Sequence, residues 1–463
     1  MSFQRPHPLF ILTNLKRFLW LLIVPLGRGF ISAVRGRSLV AYFEGFAFDI
    51  AVLGLMLLFS IADWYRFTYR ATGEGIAFSR GVFDHRRAFI PVAATYTVEQ
   101  PLSYRLVGAA RLWADTPAGH YRKNDFYVIA HSRVALDLIG RPTDRGHRPS
   151  STEVAVMSFL ASNSLAGILI LMTAVRGVGQ ILGNEFRQVI FERFQQLSTV
   201  LAFGIPPAAV AIAYLLLGGW LLAFFYNFLR FWGFRADRQG EDLVIRTGLF
   251  SPQTQRIAAP SVGYLDVRRN LPCVLLRLFT VLVMAPGSSG KPSVIVPAAG
   301  ETATGQLVER LLPRLRPDTP QLRPMPNSWI RYYSEPVTHM LYILLPGVLL
   351  SLIFPDWQSV VIYLTAMAEL VPIWGLAIRV ADLHSAGAAR GPDRLTIRYS
   401  SYFYLHTAVV SLDSVVSIKI RQSPLQRFYG TCDVQVTSCV EHRFTTHCLR
   451  NYRHSDILAF FST

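Results

Sequence analysis

Lysine is almost missing from this chain: of 46 basic residues only Lys16, Lys123, Lys291 and Lys419 are lysines, and the rest are arginine. Charge of either sign is scarce too. Charged residues make up 16% of the 463 positions, against about a quarter in a soluble protein, while 51% are apolar and the mean hydropathy is +0.32. That balance excludes an ordinary water-soluble globule and points to a bilayer. Acidic residues number only 29, which leaves a formal charge of +17. Cysteine is sparse: Cys273, Cys432, Cys439 and Cys448 form no Cys-x-x-Cys pair and no disulfide framework, so the soluble parts are expected in a reducing compartment, the cytoplasm. No RNP, helix-turn-helix or zinc-finger signature is present, so the basic excess is read as contact with anionic headgroups and not with nucleic acid. A cleaved leader is not expected, because Lys16-Arg17 interrupts the first apolar run and no small-x-small site follows it.

What the chain does have is long apolar runs. A spanning helix needs roughly 20 mostly apolar residues, since hydrocarbon offers backbone groups no outside partner. Val154 to Val175 and Phe194 to Leu229 carry no charge, and Pro336 to Pro355 is followed, after Asp356, by Trp357 to Ile378. Gly45 to Ala62 spans with Asp49 near an interface, and Phe18 to Leu26 pairs with it, Arg28 reaching back to the headgroups. Between the central runs, Phe186, Val189, Ile190, Phe194 and Leu197 recur at helical spacing. They make either an interfacial amphipathic helix or the start of the next span. Pairing the runs predicts three helical hairpins. Fifteen Lys and Arg flank the side that holds the N-terminus and the soluble stretches, Lys16, Arg17, Arg66, Arg230 and Arg379 among them. The other side has six: Arg28, Arg35, Arg37, Arg176, Arg187 and Arg193. By the positive-inside rule both termini and the soluble stretches are expected in the cytoplasm.

Those stretches, 64–150, 234–318 and 379–463, read as short β runs broken by turns, with a closing helix clearest at Thr302 to Leu315. The first runs Trp64-Tyr65-Arg66, Ile76-Ala77-Phe78, Arg80-Gly81-Val82-Phe83, Arg86-Arg87-Ala88-Phe89-Ile90-Pro91, then Gln100-Pro-Leu-Ser-Tyr-Arg105-Leu-Val-Gly108. The second follows the same order through Arg246-Thr247-Gly248-Leu249-Phe250 and Gln255-Arg256-Ile257. The third keeps Leu395 to Arg398 and Gln422-Ser-Pro-Leu-Gln-Arg427-Phe-Tyr-Gly430. Gln-x4-Arg-x2-Gly thus stands at one spacing in stretches one and three. In stretch two, Asn270 is displaced and Thr280 falls where the glycine is expected.

This order resembles the bacterial pleckstrin-homology-like, membrane-flanked domain family, and three copies between helix pairs, with His7-Pro8 near the N-terminus, resemble its YdbT-type members. The resemblance covers nearly the whole chain. It is carried best by the first stretch and least by the third, which lacks the Arg-Gly and Ile-Pro elements. It implies an α+β membrane protein with about six transmembrane helices in three hairpins, interleaved with three PH-like β-sandwich or barrel domains, each closed by a helix. The expected divisions are 1–63, 64–150, 151–233, 234–318, 319–378 and 379–463. The resemblance further implies a bacterial plasma membrane, a link to envelope stress or antimicrobial-peptide tolerance, and no enzyme activity.

No catalytic, cofactor or metal set is expected. Cys432, Cys439, His442, His447 and Cys448 have the chemistry for zinc, but neighbouring residues of a strand point to opposite faces, so His447 and Cys448 cannot share one ion. Gly287-Ser-Ser-Gly290-Lys291-Pro292 is too short for a phosphate loop and reads as a hairpin turn. Glu369, mid-way between Trp357 and Arg379, is a carboxylate at membrane depth. It either staples helices or serves a six-helix small-molecule or ion transporter, the alternative to a non-enzymatic scaffold or sensor. Arg66, Arg70, Arg86, Arg87, Arg105, Arg230, Arg235 and Arg379 are the candidates for gripping headgroup phosphates or a partner, which is expected to be a second membrane protein with a PH-like domain. Arg105 and Arg427 could equally brace the fold.

Overall fold

The computed structural model describes residues 3–18, 39–72, 74–116, 126–140, 146–162, 192, 207–286, 292–440 and 443–462. The readings placed on Phe18 to Leu26, on most of Val154 to Val175, on Glu185 to Leu197, on Gly287 to Lys291 and on His442 therefore lie wholly or mainly outside the described residues.

The first unit begins with helices α1 (Leu9–Phe18) and α2 (Leu39–Arg66), followed by strands β1 (Thr68–Thr72), β2 (Gly75–Arg80), β3 (Arg86–Pro91) and β4 (Thr95–Glu99). A five-residue helix α3 (Leu102–Leu106), strands β5 (Ala109–Asp115) and β6 (Phe126–His131), and helix α4 (Ser132–Ile139) complete it. The second unit repeats the order: α5 (Ser151–Ala161), α6 (Pro207–Phe231), β7 (Arg235–Gln239), β8 (Asp242–Thr247), β9 (Gln253–Ala258), β10 (Tyr264–Asn270), α7 (Leu271–Leu275), β11 (Leu278–Met284), β12 (Ser293–Gly300) and α8 (Glu301–Leu311). The third comprises α9 (Trp329–Ile353), α10 (Gln358–Ser385), β13 (Gly387–Arg390), β14 (Arg394–Ser401), β15 (Tyr404–Ser411), β16 (Val415–Arg421), α11 (Pro424–Phe428), β17 (Thr431–Val440), β18 (Arg443–Arg453) and α12 (His454–Ser462). Each unit has six described strands, and each ends in a helix.

Among the described residues three helical segments are long and apolar enough to cross a membrane: Tyr214–Phe231, Trp329–Ile353 and Pro355–Ser385. The last two pack along each other, and a Cβ on Gly347 would collide with the Thr365 side chain, so glycine sets how closely they approach. In the first and second units the two helices that precede the strands stand side by side. Asn14 Nδ2 donates to Asp63 at 2.6 Å, and the Phe159 and Trp220 rings meet edge to face at 4.4 Å. Before the helices of each unit the chain pairs briefly with the first strand of that unit, through Gln4 with Tyr69, His147 with Ala236 and Leu322 with Ala388. The segment before the helices and the segment after them are thereby tied to one sheet.

The strands do not form three separate sandwiches. They form four antiparallel sheets in a row: β1-β2-β3, then β6-β5-β4-β9-β8-β7, then β12-β11-β10-β15-β14-β13, then β16-β17-β18. Each unit is thus split between two sheets, and each six-stranded sheet is shared by two units. The cores alternate with the sheets. One joins Ile76 and Ile90 to Val98 and Leu112; the next joins Leu243 and Ile257 to Leu265 and Val283; the last joins Ile397 and Val410 to Val434 and Leu449. The shared sheets are covered on both faces. Along β11, Val281 and Val283 enter the middle core, while Met284 enters the last. A strand buried on both sides loses the apolar–polar alternation of a half-exposed one, which is why Leu278 to Met284 reads as an almost unbroken apolar run.

Candidate membrane-facing site

At one end of this row of sheets the turns and short helices carry large apolar side chains into the open. The β2–β3 turn exposes Phe83, which stacks on Phe59 of α2 with ring centroids 5.9 Å apart. The β8–β9 turn exposes Leu249 and Phe250, and its amides are held by the end of α6, Gly248 to the Trp232 carbonyl and Leu249 to that of Leu229, both at 3.1 Å. The β14–β15 turn exposes Tyr402 and Phe403. The short helices add Leu102, Leu106 and Val107 at α3, Leu275 and Leu276 at α7, and Leu425, Phe428 and Tyr429 at α11. They lie at the same end as the turns: Gln100, just before α3, donates its amide to Pro252, just before β9, and α7 touches the membrane-length helix α10. Turns are ordinarily polar, so these residues form a repeated apolar rim on the side from which the long helices leave.

Backbone geometry shapes the rim. Gly81 (φ +128°) and Gly248 (φ +100°) open their turns in the left-handed region, and a Cβ on Gly248 would meet the Ser251 carbonyl oxygen at 2.7 Å. The third unit needs no glycine there, because β14 and β15 are joined by only Tyr402 and Phe403, with Tyr402 itself at φ +52°. We expect Gly248→Val to lower the stability of the full chain by about 2 kcal/mol, read as a drop in melting temperature, while Gly240→Ala, also left-handed (φ +65°) but with nothing within 4 Å, carries the backbone strain alone and costs less. After the short helices the left-handed residue is Gly108 (φ +72°) in unit one and Gly430 (φ +62°) in unit three. In unit two that place is held by Arg277 (φ +53°), not by Thr280, which lies inside β11 opposite Arg268. Asn270 caps α7, its side chain accepting from the Cys273 amide at 3.0 Å.

The arginines singled out from sequence separate into groups. Arg105 stands exposed among the rim residues of α3, and Arg427 lies within α11 beside the exposed Phe428. Arg86 and Arg87 are exposed at the start of β3, where Arg86 pairs with Asp84 at 2.8 Å. Arg66 braces the Phe83 turn by donating to the Val82 carbonyl at 2.9 Å, and Arg230 sits in the last turn of α6 over the Phe231 ring at 5.7 Å. Arg70 is half-buried, its guanidinium 6.0 Å from the Phe3 ring, and Arg235 is half-buried in β7. Arg379 points inward. It donates to the Ser400 carbonyl at 3.0 Å and to Glu335 at 2.7 Å, while Asp382 accepts from the Ser400 amide at 2.9 Å and hydroxyl at 2.6 Å. This network locks α10 onto β14, and Asp63, which accepts from Arg80 at 2.9 Å, does the same for α2 and β2. Arg379 is therefore a structural brace, and sequence position alone could not distinguish it from Arg105.

Glu369 lies in α10 with both carboxylate oxygens buried and no hydrogen-bond partner among the described residues. No group of three His, Cys, Asp or Glu side chains converges among the described residues. His447 is engaged elsewhere, with Nδ1 3.0 Å from the Tyr399 hydroxyl and Nε2 3.1 Å from Ser438 Oγ. Cys432 is buried in the last core.

Residues 14–143 match the family described as Bacterial PH domain. The chain is also similar to the transmembrane protein YdbT of Bacillus subtilis (strain 168), at 21% identity over 461 residues, which cover 92% of this chain and 90% of that one. No solved structure matches it. The chain thus resembles the YdbT-type bacterial PH-domain proteins along nearly its whole length.

Proposed function

We propose that this membrane protein is a non-enzymatic scaffold or sensor of the bacterial plasma membrane, in which three PH-like units, read as internal repeats, lie on the cytoplasmic face and hold anionic headgroups. The observation that carries this reading is the rim: apolar side chains beside an arginine, on the side where the long helices leave. Leu106, Phe250 and Phe428 have the character of residues that enter the interface, with Arg105 and Arg427 at phosphate depth, each worth about 1 kcal/mol at an anionic surface. The full reading has six helices in three hairpins, both termini inside, and a second membrane protein with a PH-like domain as partner. The physiological setting is envelope stress or antimicrobial-peptide tolerance, as the resemblance implies. The rival, a transporter working through Glu369, has that intramembrane carboxylate in its favour.

Two measurements test this. The full chain, reconstituted in discs of neutral lipid and of lipid containing anionic phosphatidylglycerol, is expected to show slower hydrogen exchange over 102–108 and 424–430 in the anionic discs. Arg105→Gln with Arg427→Gln should weaken that preference by about 2 kcal/mol at low salt and less at 0.15 M. Equal exchange in both lipids would remove the headgroup reading. For topology, cysteines introduced at Ser455 and Gln358, both exposed, should react with an impermeant reagent from opposite sides of the membrane.

A further inference from the structure

The two shared sheets are made by one joint used twice. In the first, β4 meets β9 with Tyr96 opposite Arg256 and Val98 opposite Thr254; in the second, β10 meets β15 with Leu265 opposite Val409 and Val267 opposite Thr407. The register is the same. Tyr96 and Leu265 each stand six residues before their short helix, and Arg256 and Val409 each stand one residue before the partner of a buried leucine, Leu243 or Leu395. The joint always takes the fourth strand of one unit and the third strand of the next. At the ends of the row each half of this joint stands open among the described residues. The fourth strand of the last unit, β16, and the third strand of the first, β3, are sheet edges.

The open edge leaves a mark on the core. Tyr96 and Val98 are 5% and 0% exposed, and Leu265 and Val267 0% and 8%. Their counterparts Ile418 and Ile420, which face Val436 and Val434 across the strand pair, are 41% and 36% exposed. On β3, Phe89 occupies the place of Arg256 and Val409 and is likewise half exposed. Unpaired edges of this length are templates for another strand.

We infer that the protein associates head to tail with a second copy of itself, β16 of one copy pairing antiparallel with β3 of the next in the register of the internal joints. That register sets Ile418 against Phe89, Lys419 against Ala88, Ile420 against Arg87 and Arg421 against Arg86. The bilayer permits it. In both internal joints the end of the fourth strand and the start of the third lie at the helix side, and Arg421 and Arg86 are the corresponding residues, so both copies keep their helices in one membrane. The contact is heterologous and closes into a ring or continues as a row. Arg421 opposite Arg86 is a like-charge pair, which keeps the joint weak and makes it stronger at high salt. The inference rests on strand pairing and holds whether or not the rim binds lipid.

The test is cross-linking of the full chain in reconstituted bilayers, with Cys439 and Cys448 changed to Ser. A mixture of Phe89→Cys and Ile418→Cys proteins is expected to give a disulfide dimer on oxidation, and the double variant a ladder of multiples. Phe89→Cys mixed with Lys419→Cys, which lies on the opposite face, is expected to give neither. As a second measurement on otherwise unaltered protein, Arg421→Gln should tighten concentration-dependent association by up to about five-fold, read by light scattering in mild detergent. Absence of the ladder with no mass increase, equal cross-linking through Lys419, or attachment of Ile418→Cys to a different protein alone would each overturn the inference.

Discussion

Asp266→Ala is expected to destabilise the protein by about 3–5 kcal/mol, the largest loss of any single exchange considered for the sheets. Asp266 is buried in β10 at the seam with β15. It accepts from Arg268 Nε at 2.5 Å on its own strand and from His406 Nδ1 at 3.0 Å across the seam. Burial alone would raise its pKa, but His406 and Arg268 outweigh burial and hold the carboxyl below the usual carboxylate range. Alanine would leave an arginine and a histidine facing each other in the sheet without a counter-charge. Asp266→Asn keeps one acceptor and should cost less. Hydrogen exchange separates this from general weakening: amides of 264–270 and 404–410 should open first, while 95–99 in the other seam stay protected. Because the folded carboxyl has the lower pKa, its contribution is present above the unfolded value near 4 and is lost as pH falls below it.

The second large effect is a loss of stability on mild acidification. His447 sits between Tyr264 and Tyr399, and burial lowers its pKa to about 4. Ser438 Oγ lies 3.4 Å from the Thr445 carbonyl, to which it donates, so it accepts from His447 Nε2–H and the Tyr399 hydroxyl donates to Nδ1. Both contacts suit the neutral ring. The unfolded ring takes up its proton near pH 6.5 and the folded one only near 4, so the unfolded state gains protons first as pH falls. Stability should therefore drop between these values, by about 1.4 kcal/mol per unit and about 3 kcal/mol in all, and level off below. Melting temperatures of His447→Gln should fall clearly less than those of the wild type over the window from pH 6.5 to 4, the remaining slope coming from His7 and His147, which burial also holds below the ordinary histidine value. The Asp266 loss comes at lower pH, which keeps the two apart. A wild-type curve without slope over that window would refute the assignment.

Much of this was legible in the chain itself. The 16% charge, the uncharged run Pro336 to Pro355 and the run Trp357 to Ile378, which carries only Glu369, demand a bilayer, because no water-soluble fold buries so much apolar surface on so few polar groups. The strand-and-turn order is local information too. Gly81 and Gly248 announce turns that need positive φ, and Ser423 with Gln426 announces the cap of α11, where the box is formed in full. The apolar rim carries a sequence signal of its own, since Val82-Phe83, Leu249-Phe250 and Leu425 to Tyr429 put large apolar residues where turns are ordinarily polar.

Tertiary structure decided the rest. Whether β4 pairs within its own unit or with β9, 154 residues further on at Gln253 for Glu99, is a choice between edges of equal periodicity, made by packing over long sequence distances. Arg277 could take the left-handed place held elsewhere by Gly108 and Gly430 because tertiary packing overrides a local preference of about 1–2 kcal/mol. The direction of Arg379, inward to Ser400 and Glu335, depends on a strand and a helix that its own neighbours in sequence do not specify. Composition and pattern set the environment and the local elements of this protein. The contacts between distant edges, which no local period encodes, set how its units join and which arginines remain free to act.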